Sequence, residues 1–158
     1  CGQDYDKNGE LARAGKTIPA LFLALQKLPF YQKEIPKSLG IEWVNAEVTT
    51  LLHNFVHHNV EDVLHTYTWH VAMEMAKNLP REGSVLFSGG GAYNSYLMEL
   101  IQQETSAQIV LPPPQIIEFK EAIVFAFLGV LRDLDQPNCF SRFTGSICDH
   151  SSGKILYP

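Results

Sequence analysis

No run in this sequence approaches the roughly 18 consecutive apolar residues needed to span a bilayer. The opening CGQDYDKNGE also lacks the layout of a secretory signal. No membrane association is expected. Positive charge is scarce too: twelve Lys and Arg stand against seventeen Asp and Glu, a formal charge of −5. The basic residues are scattered singly, which excludes the basic stripe of a nucleic-acid partner. Cysteine is rarer still. Cys1, Cys139 and Cys148 are odd in number and show no CxxC spacing, a usage that suits a reduced, cytoplasmic compartment. Internal repeats, low-complexity segments and a domain linker are all missing. The first twenty residues hold no apolar strand and open on Cys rather than Met, so the chain reads as a piece of something longer.

What is present is a 158-residue chain, 46% hydrophobic and 11% aromatic, which fits one globular domain with one core. A chain of this size buries roughly two thirds of its unfolded surface, so it needs no disulfide or metal for stability.

Periodicity divides the chain into elements. DKNGELARAG offers a helix start at Asp6 or Asn8 and a glycine stop at Gly15. TIPALFLALQKL places Ile18, Leu21, Phe22, Leu25 and Leu28 on one helical face, with Thr17 as N-cap. Residues 28–44 carry Pro29, Pro36 and Gly40 without a period and read as a structured loop leading to a short helix near Trp43. VTTLLHNFVHH and NVEDVLHTYTWHVAMEMAKNL are helical, the second capped by Asn59. SVLFS, residues 84–88, has the make-up of a fully buried parallel strand. SGGG is its turn, and NSYLMELIQQE is a helix from Asn94 with Tyr96, Leu97, Leu100 and Ile101 inward. QIVLPPP supplies a second strand, and IEFKEAIVFAFLGVLRDL is apolar enough to predict a deeply buried helix. A final strand is expected over Lys154 to Tyr157. The fold class is α/β with more helix than strand.

Several residues could carry chemistry. A strand that ends in glycines and feeds a helix aims backbone N–H groups at one spot, which suits phosphate or a nucleotide. The same glycines also fit a tight turn that needs positive φ. GxGxxG with its acidic partner and the P-loop Lys–Ser/Thr pair are both missing. His53 and His57 have the i, i+4 spacing of a ligand pair, but the HExxH glutamate and a third ligand are absent. The bland reading is a polar helix face, and no metal site is expected. His65 and His70 read as local polar contacts. Glu118 and Glu121 open the apolar helix; they suit its macrodipole, while Glu121 could instead line a cleft for acid–base work. Cys139 and Cys148 have no nucleophile context.

Taken together, these pieces resemble the carboxyl-terminal half of the anhydro-N-acetylmuramic acid kinases, members of the sugar kinase, heat-shock and actin ATPase superfamily. DKNGELARAG looks like the family's Asp-x-x-Gly-x-x-Ala-x-x-Gly segment, and PFYQKEIPKSLGIEW is similar to its Pro-Lys-Ser-Thr-Gly-Arg-Glu loop. SGGGAYNSYLM looks like the Gly-Gly-Gly-Ala-x-Asn-x-x-Leu-Met nucleotide motif. EFKEAIVFAFLGVL resembles the Glu-Ala-x-x-Phe-Ala helix, and FTGSICDHSSGKILYP the Thr-Gly ending. Five motifs in order carry more weight than any one.

The resemblance implies an actin-like, ribonuclease H-like lobe over residues 1–158 with an incomplete sheet, the amino-terminal lobe being absent. It implies ATP and Mg2+ as cofactors, an amino-sugar substrate, and a role in cell-wall recycling through opening of the 1,6-anhydro ring and phosphorylation at O6. Gly89, Gly90, Gly91 and Asn94 would then lie at the nucleotide, and Glu121 would face the sugar and the attacking water. Leu39 and Ile41 depart from the family's Thr and Arg, which leaves room for a non-catalytic nucleotide-binding or interaction module. The fragment alone is expected to be inactive. Missing first strands would leave an open sheet edge, which makes a homodimer a candidate state.

Overall fold

The computed structural model describes residue 2, residues 4–34 and residues 37–156. Two compact units divide the chain, Cys1–Leu111 and Pro112–Pro158.

The first unit begins with a 3-10 turn, Lys7–Gly9, that runs into helix α1, Glu10–Ala14. The Asp6 carboxylate accepts from the amides of Leu11 and Ala12 at 2.9 and 3.0 Å, which satisfies two donors that a helix start leaves orphaned. Ala12 is fully buried. Gly15 ends α1 where an added Cβ would strike the Glu61 carbonyl and come within 2.8 Å of the Asp62 amide nitrogen. The period of three in DKNGELARAG is therefore a packing pattern.

Helix α2, Pro19–Gln26, starts on a proline at its first position, where the missing N–H costs nothing. Thr17 does not cap it; its hydroxyl sits 3.2 Å from His65 Nε2. Ile18, Leu21, Leu25 and Leu28 are buried as the period predicts, while Phe22 stacks on Trp69 at 4.4 Å. The expected loop at 28–44 contains a short helix, α3, Pro29–Gln32. Ile35 and Pro36 of the Pro-Lys-Ser segment lie outside the described residues. Helix α4, Ile41–Trp43, continues through a π-helical stretch, Val44–Thr49, into α5, Thr50–His53. This run starts earlier than VTTLLHNFVHH predicts and stops at His53, so His57 lies in the following turn and cannot share a helical face with His53.

Helix α6, Val60–Ala76, is the spine of this unit and crosses α1, α2 and a later helix. Asn59 precedes it without a side-chain cap bond. Thr66 is fully buried; its hydroxyl donates to Asp62 O at 2.7 Å and accepts from Ile18 N at 2.8 Å. Strand β1, Ser84–Leu86, pairs in parallel with β2, Gln108–Val110, in the register Val85 to Ile109. Between them runs α7, Ser95–Glu104. The expectation of a fully buried strand fails: only two strands form among the described residues, Val85 is half-buried and Leu86 is 61% exposed.

Buried side chains of this unit form two clusters where the composition suggests one core. Ala12, Ala72, Tyr96, Met98, Leu100 and Ile101 gather where α1, α6 and α7 meet. Ile18, Leu21, Leu25, Leu28 and Val48 gather under α2. Burying each large aliphatic contributes about 1.5–3 kcal/mol.

The second unit holds α8, Pro114–Asp133, and α9, Ser141–Thr144. Deep burial of α8 is overturned: no residue of it is buried, and Phe125 is 70% exposed. Its apolar residues encircle the helix, which requires cover on every side, and the second unit does not supply it. The expected last strand is absent over residues 154–156, and Tyr157 lies outside the described residues. A single antiparallel bridge joins Cys139 to His150 instead. Among the described residues, no helix is long and apolar enough to cross a membrane.

Candidate functional site

The glycine turn and the start of α7 meet the DKNG segment, and a cavity of about 430 Å3 lies between them. Tyr5, Asp6, Lys7, Asn8, Gly90, Tyr93 and Asn94 line it. Gly89 has φ +92 and ψ 173, a conformation essentially restricted to glycine. Gly90–Tyr93 form a 3-10 turn whose first closing bond runs from Ala92 N to Gly89 O at 3.0 Å. The Gly90 and Gly91 amides precede that bond, so the turn itself gives them no acceptor.

Asn94 ends the turn and caps α7, its Oδ1 accepting from Leu97 N at 2.9 Å. The same side chain abuts Gly9, whose φ of +73 and closeness to Asn94 and Tyr96 leave no room for a Cβ. Ser95 Oγ donates to Asn8 O at 3.1 Å. Two segments more than 80 residues apart in sequence are thus locked into one wall. Among the described residues, nothing lies within 4 Å of a Cβ placed on Gly90 or Gly91, and Ser88 Oγ is buried with no partner.

Behind this wall, His65 links the helices: Nδ1 lies 3.1 Å from Ala12 O and 3.0 Å from the Tyr96 hydroxyl. Arg13 forks onto both oxygens of Glu99 at 2.6 and 2.7 Å and covers the Tyr96 ring at 4.7 Å. That hydrogen-bonded pairing holds the Glu99 carboxyl below its ordinary range. Burial pushes the Tyr96 phenol up.

The predicted residues separate by unit. Gly90 and Asn94 line the cavity, with Gly89 and Gly91 flanking Gly90 in the turn, whereas Glu121 belongs to the second unit, exposed in the second turn of α8. Glu118 is exposed on the same helix. Among the described residues, no three of His, Cys, Asp and Glu gather to hold a metal ion. His53 bonds its own helix, Nδ1 to Thr49 O at 2.8 Å, and the His57 ring lies tilted against that of His58 with centroids 4.3 Å apart.

Sequence reasoning missed Tyr5, Lys7 and Asn8 at the cavity, although DKNGELARAG carried the signal. It also missed a second, apolar cavity of about 550 Å3 lined by Tyr31, Lys37, Trp43, Tyr67, Glu74 and Phe87 among others. There, burial pushes the Tyr31 phenol up to about 12, with Tyr67 and Glu74 adding to the effect. His70 packs against Tyr31 and Phe22. It is fully buried with neither ring nitrogen partnered, which corrects its reading as a polar contact. Burial lowers its pKa.

The comparisons with known proteins agree on one family. The model of the anhydro-N-acetylmuramic acid kinase family matches residues 1–158. Curated relatives of that name include one from Shewanella sp. (strain W3-18-1), 33% identical over 156 residues, covering 91% of this chain and 41% of the relative. One from Francisella tularensis subsp. novicida is 31% identical over 137 residues, covering 80% and 36%. One from Bacillus cereus is 29% identical over 167 residues, covering 98% and 44%. The chain spans about two fifths of the length of these relatives. With the family model matched from end to end, the chain belongs to the anhydro-N-acetylmuramic acid kinase family.

Proposed function

We propose that residues 1–158 are the carboxyl-terminal lobe of a cytoplasmic, two-lobe, actin-like kinase with a ribonuclease H-like core. The whole enzyme would use ATP and Mg2+ to open the 1,6-anhydro ring of anhydro-N-acetylmuramic acid and phosphorylate O6 in cell-wall recycling. The observation that carries the nucleotide assignment is the open space above Gly90 and Gly91. Neither has the positive φ that would demand glycine, and no protein atom would meet a side chain there. A ligand that needs bare backbone accounts for both facts.

Gly89, Gly90, Gly91 and Asn94 would hold the nucleotide. ATP supplies the transferable phosphoryl group. Mg2+ would arrive on its phosphates, since no trio of ligands gathers among the described residues. Glu121 would face the sugar and the attacking water. Phosphoryl transfer rests on positioning phosphates, metal and acceptor together, so this lobe alone would bind nucleotide without turnover.

Titration of the purified chain with MgATP, beside an assay for sugar phosphate, tests both parts. Saturable binding without product is the expected result. Absence of binding would remove the nucleotide site, and product from the isolated chain would remove the claim that a second lobe is required.

A second reading, a non-catalytic nucleotide-binding or interaction module, draws on Leu39 and Ile41, which are 46% and 64% exposed. Apolar side chains placed in water at a loop suit a protein contact better than a sugar. An upstream reading frame encoding the amino-terminal lobe would favour the kinase, and its absence the module.

A further inference from the structure

We infer that Lys7 is the counter-charge for the polyphosphate of a nucleotide in the 430 Å3 cavity, an inference that rests on the nucleotide reading of Gly90 and Gly91. Lys7 is the one cation among the residues that line this cavity, and Gly90 lines the same space. Its backbone is fixed from both sides. Gly9 N donates to Asp6 O at 3.2 Å, Asn8 adopts φ +57, and Asn8 O accepts from Ser95 Oγ on α7. The Lys7 backbone is therefore anchored beside the start of α7, and its side chain lines the space that Gly90 also lines.

The charge on Lys7 is not spent elsewhere. Among the described residues its ammonium makes no ion pair or hydrogen bond. Asp6 is the one carboxylate lining the cavity, and its two oxygens already accept from Leu11 and Ala12. That engagement lets the cavity hold an anion beside an aspartate. An ammonium in the same cavity as a backbone N–H that its own turn leaves without an acceptor is the donor set that phosphate oxygens take. In a chain of formal charge −5, such a spot is where a polyphosphate anion would be least repelled. A neutral nucleoside would feel little of it.

The test is calorimetric titration of wild type, Lys7→Met and Lys7→Arg with ATP, ADP, AMP and adenosine at fixed Mg2+ and two salt concentrations. Loss of one charge-assisted contact predicts that Lys7→Met weakens ATP about ten- to a hundredfold, with a smaller salt dependence. Adenosine should be unaffected and Lys7→Arg should recover most of the affinity. The side chain is exposed, so melting should be unchanged in all three proteins. Unaltered ATP affinity in Lys7→Met would overturn the inference, as would an equal loss for adenosine, which would place Lys7 at the base or ribose. If wild type binds none of the four, the nucleotide reading falls with it; if wild type binds and only the role of Lys7 fails, that reading stands.

Discussion

At Gly9 an added Cβ would meet Asn94 and lie 2.7 Å from the Cβ of Tyr96, and at Gly15 it would strike the backbone of Glu61. At Gly90 and Gly91 it would meet nothing within 4 Å. The first pair is glycine because the protein itself fills the space. The second pair is glycine although the protein leaves the space empty. Packing explains Asp6, Gly9, Ala12 and Gly15 of DKNGELARAG, through the Asp6 cap, the two glycine approaches and the buried alanine. It does not explain the two later residues of SGGG. Gly129 on exposed α8 meets nothing either, so it is their place beside the cavity, Gly90 in its lining, that makes the later pair fit the proposed ligand.

The contrast gives its largest effect at the packed pair. Gly9→Ala combines a left-handed backbone, about 1–2 kcal/mol, with overpacking of about 1–3 kcal/mol. The melting temperature should fall on the order of 10 °C, and calorimetric melting checks it. A fall of only a degree or two would mean that the wall between the DKNG segment and α7 yields easily.

Asn94→Ala sharpens the same comparison at the junction of the two loops. Losing the cap bond to Leu97 N should cost about 1 kcal/mol of stability in denaturant unfolding. A cost near zero would make Asn94 a ligand group first and a cap second.

His70 gives the smallest effect and tests whether the apolar cavity is structural. Burial holds its pKa below the unfolded value, so its contribution is complete above the unfolded pKa of about 6.5. That contribution is lost as pH falls from there toward the folded pKa. Glu74 favours the charged ring and Lys77 opposes it. His70→Leu should flatten the decline of the unfolding midpoint between about pH 7 and pH 5. An unchanged slope would assign that decline to other groups. The Glu99 carboxyl, depressed by Arg13, acts in a separate and more acid window, where stability is lost as it protonates.

Much of this was legible locally. The buried faces of α2 and α7 follow their helical periods, and Asn94 has the composition of a cap. The 3-10 turn at Lys7 and the cavity beside it were not legible, because Gly9 and Asn94 meet across more than 80 positions and no local pattern records that contact. The sequence of α8 shows a helix apolar on all sides, hence in need of cover, but says nothing about whether these 158 residues contain the cover. SVLFS failed for the same reason: its composition predicts a buried strand, and burial is a property of neighbours. The glycine turn was readable because it is contiguous; the residues facing it were not.

The most direct measurement is titration of MgATP into wild type and Gly91→Ala, with melting curves for both proteins. The account predicts that affinity drops at least about tenfold, some 1.4 kcal/mol, while stability stays within about 0.5 kcal/mol. Equal affinity in the two proteins would contradict it, and would return Gly90 and Gly91 to the status of an ordinary turn.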